Sequence, residues 1–430
     1  MSGLRFREFD LKVNDVLWVS GPAKINIVNG LVEVFGAKVK FGESIVVKRY
    51  KSIYLKALED CKVKISYGAH VKIVGYDGIP MDWHRLLSEI IKFKGKIMVL
   101  GGVDTGKNTL VTFLSNKLFD LGFSVGILDA DVGQNEIGPP ATMALGIVRD
   151  ALSSLDQVEL FDCVFIGSTS PSYVSFRVFK GLERLINASN KLKLDYLIIN
   201  TTGWVSNGGV KFKVEKIGLI KPDIIIGIQR EDELEPILNC VDNVYNVFRV
   251  SPSQMVRVRD RFDRKMIRQM NYLKWFNNAT NNRVPLNIFN SIEPNIFDGS
   301  PLDDSKLNSL SKILGVNVAF SIIKDGELII FPYEDLEMDG ELESKIVRNF
   351  DVSKSFIIPF SSLVPLLVAF EYFDGGFAGL GIITNIDFKN RYIQIYTNVD
   401  ILRGDLKLIF GLIRLDPTNF DEIGFSRIPI

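Results

Sequence analysis

The stretch Gly101-Gly-Val-Asp-Thr-Gly106-Lys107-Asn108-Thr109 constrains this chain more than any other. It stands between an apolar run with strand character, Ile97-Met-Val-Leu, and a segment from Lys107 to Leu121 with the periodicity of an amphipathic helix. A strand, a glycine-rich turn and a helix in that order form a cradle for phosphate. Glycines let the backbone wrap closely, and the amide N–H groups and helix N-terminus point at the anion. The spacing matches G-x-x-x-x-G-K-[ST] except at its last position. Gly102, Val103, Asp104, Thr105, Gly106, Lys107, Asn108 and Thr109 are therefore the candidate residues for binding ATP or GTP, with Lys107 bridging the β- and γ-phosphates. Asn108 is the departure, because a Ser or Thr hydroxyl ordinarily ligates Mg²⁺ there. Asn offers a carbonyl oxygen on a bulkier group, and Thr109 cannot replace it, since adjacent helical residues point about 100° apart. The exchange is either a cost to metal affinity and turnover or a tolerated variant.

Around this loop the chain reads as α/β. Apolar strands at Ser124-Val-Gly-Ile-Leu, Cys163-Val-Phe-Ile, Tyr196-Leu-Ile-Ile and Asp223-Ile-Ile-Ile-Gly-Ile alternate with helical stretches, which predicts a parallel sheet covered on both faces. Before it, residues 1–80 carry short alternating strands (Lys24-Ile-Asn-Ile-Val, Leu31-Val-Glu-Val-Phe, Ser44-Ile-Val-Val-Lys, Val63-Lys-Ile-Ser-Tyr) punctuated by Asn29-Gly30 and Gly36, an all-β module of sandwich type. Tyr76-Asp-Gly-Ile-Pro-Met is a linker signal, and Trp83 to Lys92 reads as a helix. A basic helical stretch covers 254–276, and from about 285 the β signal returns, with strands at Glu327-Leu-Ile-Ile-Phe, Gly381-Ile-Ile-Thr, Arg391-Tyr-Ile-Gln-Ile-Tyr and Leu406-Lys-Leu-Ile-Phe. The expected architecture is a P-loop NTPase core over 81–284 flanked by N-terminal (1–80) and C-terminal (285–430) β-rich domains.

Three further motifs fall at ends of these elements. Leu128-Asp129-Ala130-Asp131-Val132-Gly133-Gln134 follows a strand, and carboxylates at a strand's C-terminal end face the ligand crevice of a parallel sheet. One of the pair suits a magnesium ion and one can accept a proton from an attacking hydroxyl. Alternation puts both on one side if the strand persists. Asn200-Thr201-Thr202-Gly203-Trp204 closes another strand, and Trp204 there serves either to stack on a base or to pack in the core. Arg257, Arg261, Arg264 and Arg268 share a face at helical spacing, either as a solvated stripe or as a mobile lid whose arginine neutralises charge on a transferring phosphoryl group.

Composition excludes more than it suggests. Lys plus Arg and Asp plus Glu balance at 51 each, so any nucleic-acid affinity must come from a local patch. Three separated cysteines (Cys61, Cys163, Cys240) and two histidines argue against a disulfide framework or a zinc site, and the cysteines are expected to be buried. The first residues lack the apolar core of a signal peptide, and the longest apolar runs, such as Leu363 to Phe370, are too short to span a bilayer. A cytoplasmic protein is the expectation, with no membrane partner.

Taken together, the motifs resemble those of the polynucleotide 5′-hydroxyl kinases, the family of the mRNA cleavage-factor kinase subunit and the nucleolar rRNA-processing kinase, in its prokaryotic or archaeal form. Asn29-Gly-Leu-Val-Glu-Val-Phe-Gly36 resembles an N-terminal signature of the family, and Val103-Asp104 with Gly106-Lys107 resembles its P-loop. Asp129-x-Asp131-x-Gly133-Gln134 resembles its Walker B segment, Ile166-Gly-Ser-Thr-Ser-Pro171 its G-S-T-S-P loop, and Gly404 to Leu415 its C-terminal end. Thr202-Gly203-Trp204 is similar to the family's substrate clasp, and Arg259 and Arg264 have the spacing of its lid arginines, which conflicts with the single helical face. The resemblance implies Mg²⁺-dependent transfer of the γ-phosphate of ATP or another NTP to a 5′-OH end of RNA or DNA. It gives Lys107, Asp129, Asp131, Arg259 and Arg264 to catalysis, Asn108, Asp129 and Asp131 to the metal, and Gln134, Thr202, Gly203, Trp204 and Arg268 to the substrate. It also implies RNA-processing protein partners through the β domains. Two alternatives stay open: an ATP-binding scaffold subunit with weak or no kinase activity, motivated by Asn108, and an NTPase switch with water as acceptor.

Overall fold

The structure is a computed structural model that describes residues 5–68, 72–75, 78–255 and 258–428. Met1 to Leu4, His70, Tyr76 and Asp77 of the linker signal, and Arg257 of the basic stripe lie outside the described residues. The chain forms two compact units, Met1–Val164 with Ser175–Ile267, and Phe165–Val174 with Arg268–Ile430.

In the first unit, the N-terminal strands make two antiparallel sheets. One orders Arg5–Leu11, Cys61–Tyr67, Ala23–Asn29 and Ser44–Val47; the other orders Ala37–Lys40, Leu31–Val34, Ser52–Ala57, Val16–Ser20 and Ile73–Gly75. Their alternating apolar faces close on a core that includes Val19, Ile25, Val32, Leu55, Val63 and Ile65, the sandwich the sequence predicts. The Glu33-Val-Phe-Gly36 segment packs on the helix that follows the P-loop. Lys117 Nζ pairs with buried Glu33 at 2.6 Å, and Asn116 Nδ2 donates to the Phe35 carbonyl at 2.8 Å.

The α/β core follows as α1 (Met81–Ile90), β1 (Gly95–Gly101), α2 (Lys107–Asp120), β2 (Val125–Ala130), β3 (Thr142–Ile147), β4 (Glu159–Phe165), α3 (Ser175–Ser189), β5 (Tyr196–Thr201), α4 (Gly208–Ile220), β6 (Ile224–Ile228), β7 (Asn246–Val250) and α5 (Arg261–Trp275). The seven-stranded sheet runs β4-β3-β2-β5-β1-β6-β7. Pairs β1–β5, β1–β6, β2–β5 and β6–β7 are parallel. The expectation of a parallel sheet is corrected where β3 lies antiparallel to β2, with Asp129 opposite Ala144. Every residue of β3 is buried, so the run carries no sign of its direction. Because β5 lies between β1 and β2 with all three parallel, their C-terminal ends meet at one edge of the sheet.

The second unit holds a six-stranded sheet in the order Thr280–Pro285, Tyr392–Thr397, Phe377–Asp387, Leu366–Tyr372, Leu406–Phe410 and Ser291–Glu293. A four-stranded sheet (Ser300–Pro301, Val318–Lys324, Glu327–Pro332, Lys354–Ile357) accompanies it. The region is β-rich as expected and adds two helices that the β signal did not show, Asp304–Leu314 and Gly340–Phe350, each capped by an aspartate (Asp303, Asp339) accepting a backbone N–H. Among the described residues no helix is long and apolar enough to cross a membrane. Cys61 and Cys163 are buried thiols, whereas Cys240, expected to be buried, is exposed.

Candidate active site

β1 delivers the P-loop. A Cβ on Gly101 would lie 2.5 Å from Thr105 Oγ1 and 3.1 Å from the Ile228 carbonyl oxygen, so the turn closes only around glycine. Asp104 (φ 53°) and Gly106 (φ 93°) take left-handed conformations that bend the chain into α2. Thr105 Oγ1 donates to the Gly102 carbonyl at 3.1 Å, and half-buried Thr109 follows on α2. Lys107 is buried, and its Nζ donates to the carbonyls of Gly101 (3.0 Å) and Gly102 (2.6 Å). Burial lowers its pKa, opposed by the charges of Asp131, Asp104 and Asp129.

β2 ends at Ala130, between the two aspartates, so the turn rather than strand alternation sets Asp131. Asp129 is fully buried. Its Oδ1 accepts from Asn200 Nδ2 (3.0 Å) and Asp131 N (3.2 Å), and its Oδ2 from Glu136 N (2.9 Å). Burial, and then the neighbouring charge of Asp131, push its pKa up to about 7. Half-buried Asp131 accepts at Oδ1 from the amides of Gly133 (3.1 Å) and Gln134 (3.2 Å).

Asn108 sits between these groups. Its Nδ2 donates to Glu136 Oε1 at 3.0 Å, and its Oδ1 accepts from Asn200 Nδ2 at 3.1 Å. Asn200 Nδ2 is thus shared by Asn108 Oδ1 and Asp129 Oδ1, so an amide oxygen and a carboxylate oxygen converge. That donor set fits Mg²⁺, which takes one or two carboxylates and completes its shell with phosphate and water. Asn200 Oδ1 is buried without a hydrogen-bond partner among the described residues, a further oxygen at this point. Glu136 in turn pairs through Oε2 with Lys51 of the N-terminal module.

The clasp crosses the P-loop at close range. A Cβ on Gly203 would lie 2.8 Å from Val103 N and 2.9 Å from Val103 Cα. Thr202 is buried, and half-buried Trp204 lies with its ring centroid 5.4 Å from that of Phe212 on α4. The segment expected to form a lid also reaches the P-loop. Helix α5 starts at Arg261 because the Asp260 carboxylate accepts from Asp263 N at 2.7 Å, so Arg259 precedes it; the expectation of a helix from 254 is corrected accordingly. Arg264 Nη2 meets Asp104 Oδ2 at 2.8 Å, and Arg259 N donates to the same oxygen at 3.0 Å. Both arginines spaced five apart therefore converge on the P-loop, one by its side chain and one by its backbone, while Arg259 Nε donates to the Tyr50 carbonyl at 3.3 Å. Gln134 Nε2 reaches the Arg264 carbonyl only at 3.5 Å. Arg268 is held elsewhere, in a two-armed ion pair with Glu422 (2.7 and 2.6 Å). The Ile166–Pro171 loop belongs largely to the second unit, where Gly167 O accepts from Leu412 N at 2.7 Å.

Sequence reasoning gave no role to Asn200, Glu136, Lys213 or Lys216. Asn200 had a visible signal, a polar residue in an otherwise apolar strand beside the clasp. Glu136 had none, since its partners lie far away in sequence. The two lysines stand in Lys211-Phe-Lys-Val-Glu-Lys216, a run that reads as a solvated helix face, yet both are fully buried.

Comparison with known proteins bears on the same region. Residues 101–278 match the family described as the mRNA cleavage and polyadenylation factor CLP1 P-loop. A polyribonucleotide 5′-hydroxyl-kinase of Pyrococcus furiosus is 32% identical over 342 residues, 79% of this chain and 93% of the relative. One of Methanocaldococcus jannaschii is 31% identical over 331 residues, 76% of this chain and 89% of the relative. A solved structure of a wild-type Clp1p–Pcf11p complex superposes with a TM-score of 0.68 at 12% identity, covering 95% of this chain and 98% of that one, a likeness of fold.

Proposed function

The chain belongs to the family of the polyribonucleotide 5′-hydroxyl kinases, and from that premise we propose that it transfers the γ-phosphoryl group of ATP to the 5′-OH end of RNA. The observation that carries the reading is the meeting of four groups at one sheet edge: the buried P-loop lysine, the Asp129–Asp131 pair, the clasp over Val103, and a lid arginine on Asp104. A nucleotide is cradled by the amides of 102–108, and Lys107 turns from the Gly101 and Gly102 carbonyls to its phosphates. Mg²⁺ would be held by Asn108 and Asp129 and would neutralise charge on the β- and γ-oxygens. Asp131 accepts the proton of the 5′-hydroxyl as its oxygen bonds to the γ-phosphorus and the bond to the β-phosphate oxygen breaks, releasing ADP. Arg264 stabilises the transferring group, Arg259 supports the lid, and Trp204 stacks on the terminal nucleotide. DNA ends, GTP, protein partners through the β domains, a cytoplasmic location and the three-part division at 80 and 284 belong to the proposal as well.

The test is transfer of labelled phosphate from ATP to a 5′-OH oligoribonucleotide with Mg²⁺; clean wild-type protein that transfers none refutes it. A second reading, a nucleotide-binding scaffold with weak turnover, is favoured by one observation: both ends of the Asn108 amide are already bonded, to Glu136 and Asn200. Tight nucleotide binding without transfer, with transfer appearing in Asn108→Ser, supports that reading.

A further inference from the structure

Helix α4 carries two lysines that no role described so far uses. Lys213 and Lys216 are both 0% exposed. Burying an ammonium costs several kcal/mol unless it is well hydrogen-bonded, so a lysine without a carboxylate partner in a core demands a reason. Lys213 Nζ donates to the carbonyl of Thr202 at 2.7 Å and to Thr202 Oγ1 at 3.1 Å. Both acceptors belong to the residue that opens the clasp. Three other contacts come from the same helix. A Cβ on Gly209 would lie 2.7 Å from the Trp204 carbonyl oxygen, one on Gly208 3.2 Å from the Trp204 ring, and Phe212 packs against that ring. The clasp is thus pressed between the first two turns of α4 and the backbone of Val103, and the two bonds from Lys213 fix the peptide from which Gly203 and Trp204 extend. Burial depresses the pKa of Lys213 well below the usual lysine range, with Lys216 and Lys107 adding to the effect.

We propose that Lys213 is a positioning residue for the acceptor strand: through its two bonds to Thr202 it sets the angle at which Trp204 meets the terminal nucleotide. The assignment rests on the kinase reading for the identity of the acceptor. Two hydrogen bonds from one buried amine to the carbonyl and the hydroxyl of a single residue fix that residue's orientation in a way that apolar packing does not. A side chain that acts on the clasp alone changes acceptor affinity and leaves the nucleotide untouched.

The experiment compares wild type, Lys213→Met, Thr202→Val, Trp204→Ala and the Lys213→Met/Trp204→Ala double variant. Binding of a fluorescent 5′-OH oligoribonucleotide is read by anisotropy, nucleotide binding by titration, and transfer by steady-state kinetics. Lys213→Met is expected to weaken oligonucleotide binding and raise its KM about tenfold, with nucleotide affinity changed less than about twofold. Thr202→Val, which keeps the backbone acceptor, is expected to lose about threefold. Trp204→Ala is expected to lose about tenfold or more, and the double variant no more than Trp204→Ala alone. Additive losses in the double variant, equal losses for nucleotide and oligonucleotide, or Lys213→Met matching a wild type that phosphorylates RNA each overturn this inference alone. A wild type that neither binds nor phosphorylates oligonucleotide overturns it together with the kinase reading. Should Lys213→Met fail to fold, Thr202→Val, Trp204→Ala and the Thr202→Val/Trp204→Ala double variant give the corresponding cycle, in which additive losses overturn the inference.

Discussion

Replacing Gly203 by Ala perturbs the closest approach in the site, and its size can be worked from the geometry. The added methyl would lie 2.7 Å from Val103 Cγ2, 2.8 Å from Val103 N and 2.9 Å from Val103 Cα. The side-chain atom can rotate away, but the two backbone atoms cannot. Ordinary contact begins near 3.4 Å, so the clasp and the loop must part by roughly half an ångström. Gly203 is outside the left-handed region, so the backbone conformation itself suits alanine and the cost is steric. The loop side is tied by Lys107, Arg264 and the Arg259 amide, which leaves the clasp to move. A displacement of about 1 Å in a reacting geometry costs on the order of 10²-fold, so half of it is expected to lower kcat/KM for RNA about tenfold, or about 1.4 kcal/mol. Steady-state transfer to a 5′-OH oligoribonucleotide, with nucleotide affinity measured in parallel, checks this. Unchanged kcat/KM, or a loss confined to nucleotide binding, refutes the idea that the clasp works from this contact.

Other perturbations separate the parts of the site. Asn108→Ser is expected to raise kcat several-fold and lower the Mg²⁺ concentration for half-maximal rate, because a hydroxyl replaces an amide bonded to Glu136 and Asn200; a magnesium titration reads it. Arg264→Ala is expected to lower kcat by about 10² or more with little change in RNA KM, since its charge is needed as the phosphoryl group transfers. Asp129 has its folded pKa raised to about 7 from an unfolded value of 3.8, so its stability contribution is complete below pH 4 and is lost as pH rises through 7. Thermal unfolding of nucleotide-free protein is therefore expected to lose stability between about pH 4 and 7, by about 4 kcal/mol at most from this group, and Asp129→Asn to flatten that slope. An identical slope in the variant contradicts the assignment.

The parts of the fold and site legible in the sequence are those whose chemistry is local. The G-x-x-x-x-G-K spacing between strand and helix carries its phosphate-loop geometry within one short segment, and the Asp129–Asp131 and Thr202–Trp204 segments each follow an apolar run. That β5 lies between β1 and β2 is not written in any one segment, yet it is what brings the three together. Pairings across long separations were hidden for the same reason: Asn200 with Asn108 and Asp129, Glu136 with Lys51, and Asp104 with Arg264. The α4 lysines carry no signal in the sequence, because their spacing is that of a solvated face; only burial distinguishes them. The lid helix was read too long, since basic residues continue through 254–260 while the cap at Asp260 sets its start. β3 carries little strand signal, because Thr142 and Gly146 interrupt its short apolar run Thr142-Met-Ala-Leu-Gly-Ile, and a strand buried on both faces shows no sign of its direction.

Phosphate transfer to a 5′-OH end is the decisive measurement for this protein. Purified protein is incubated with γ-labelled ATP, Mg²⁺ and a 5′-OH oligoribonucleotide, beside Asp131→Ala and an oligonucleotide already phosphorylated at its 5′ end. Label is expected on the 5′-OH strand with wild type, none on the blocked strand, and a loss of at least about 10² in rate with Asp131→Ala. Label released as free phosphate regardless of RNA, or transfer by Asp131→Ala at the wild-type rate, would contradict the kinase reading.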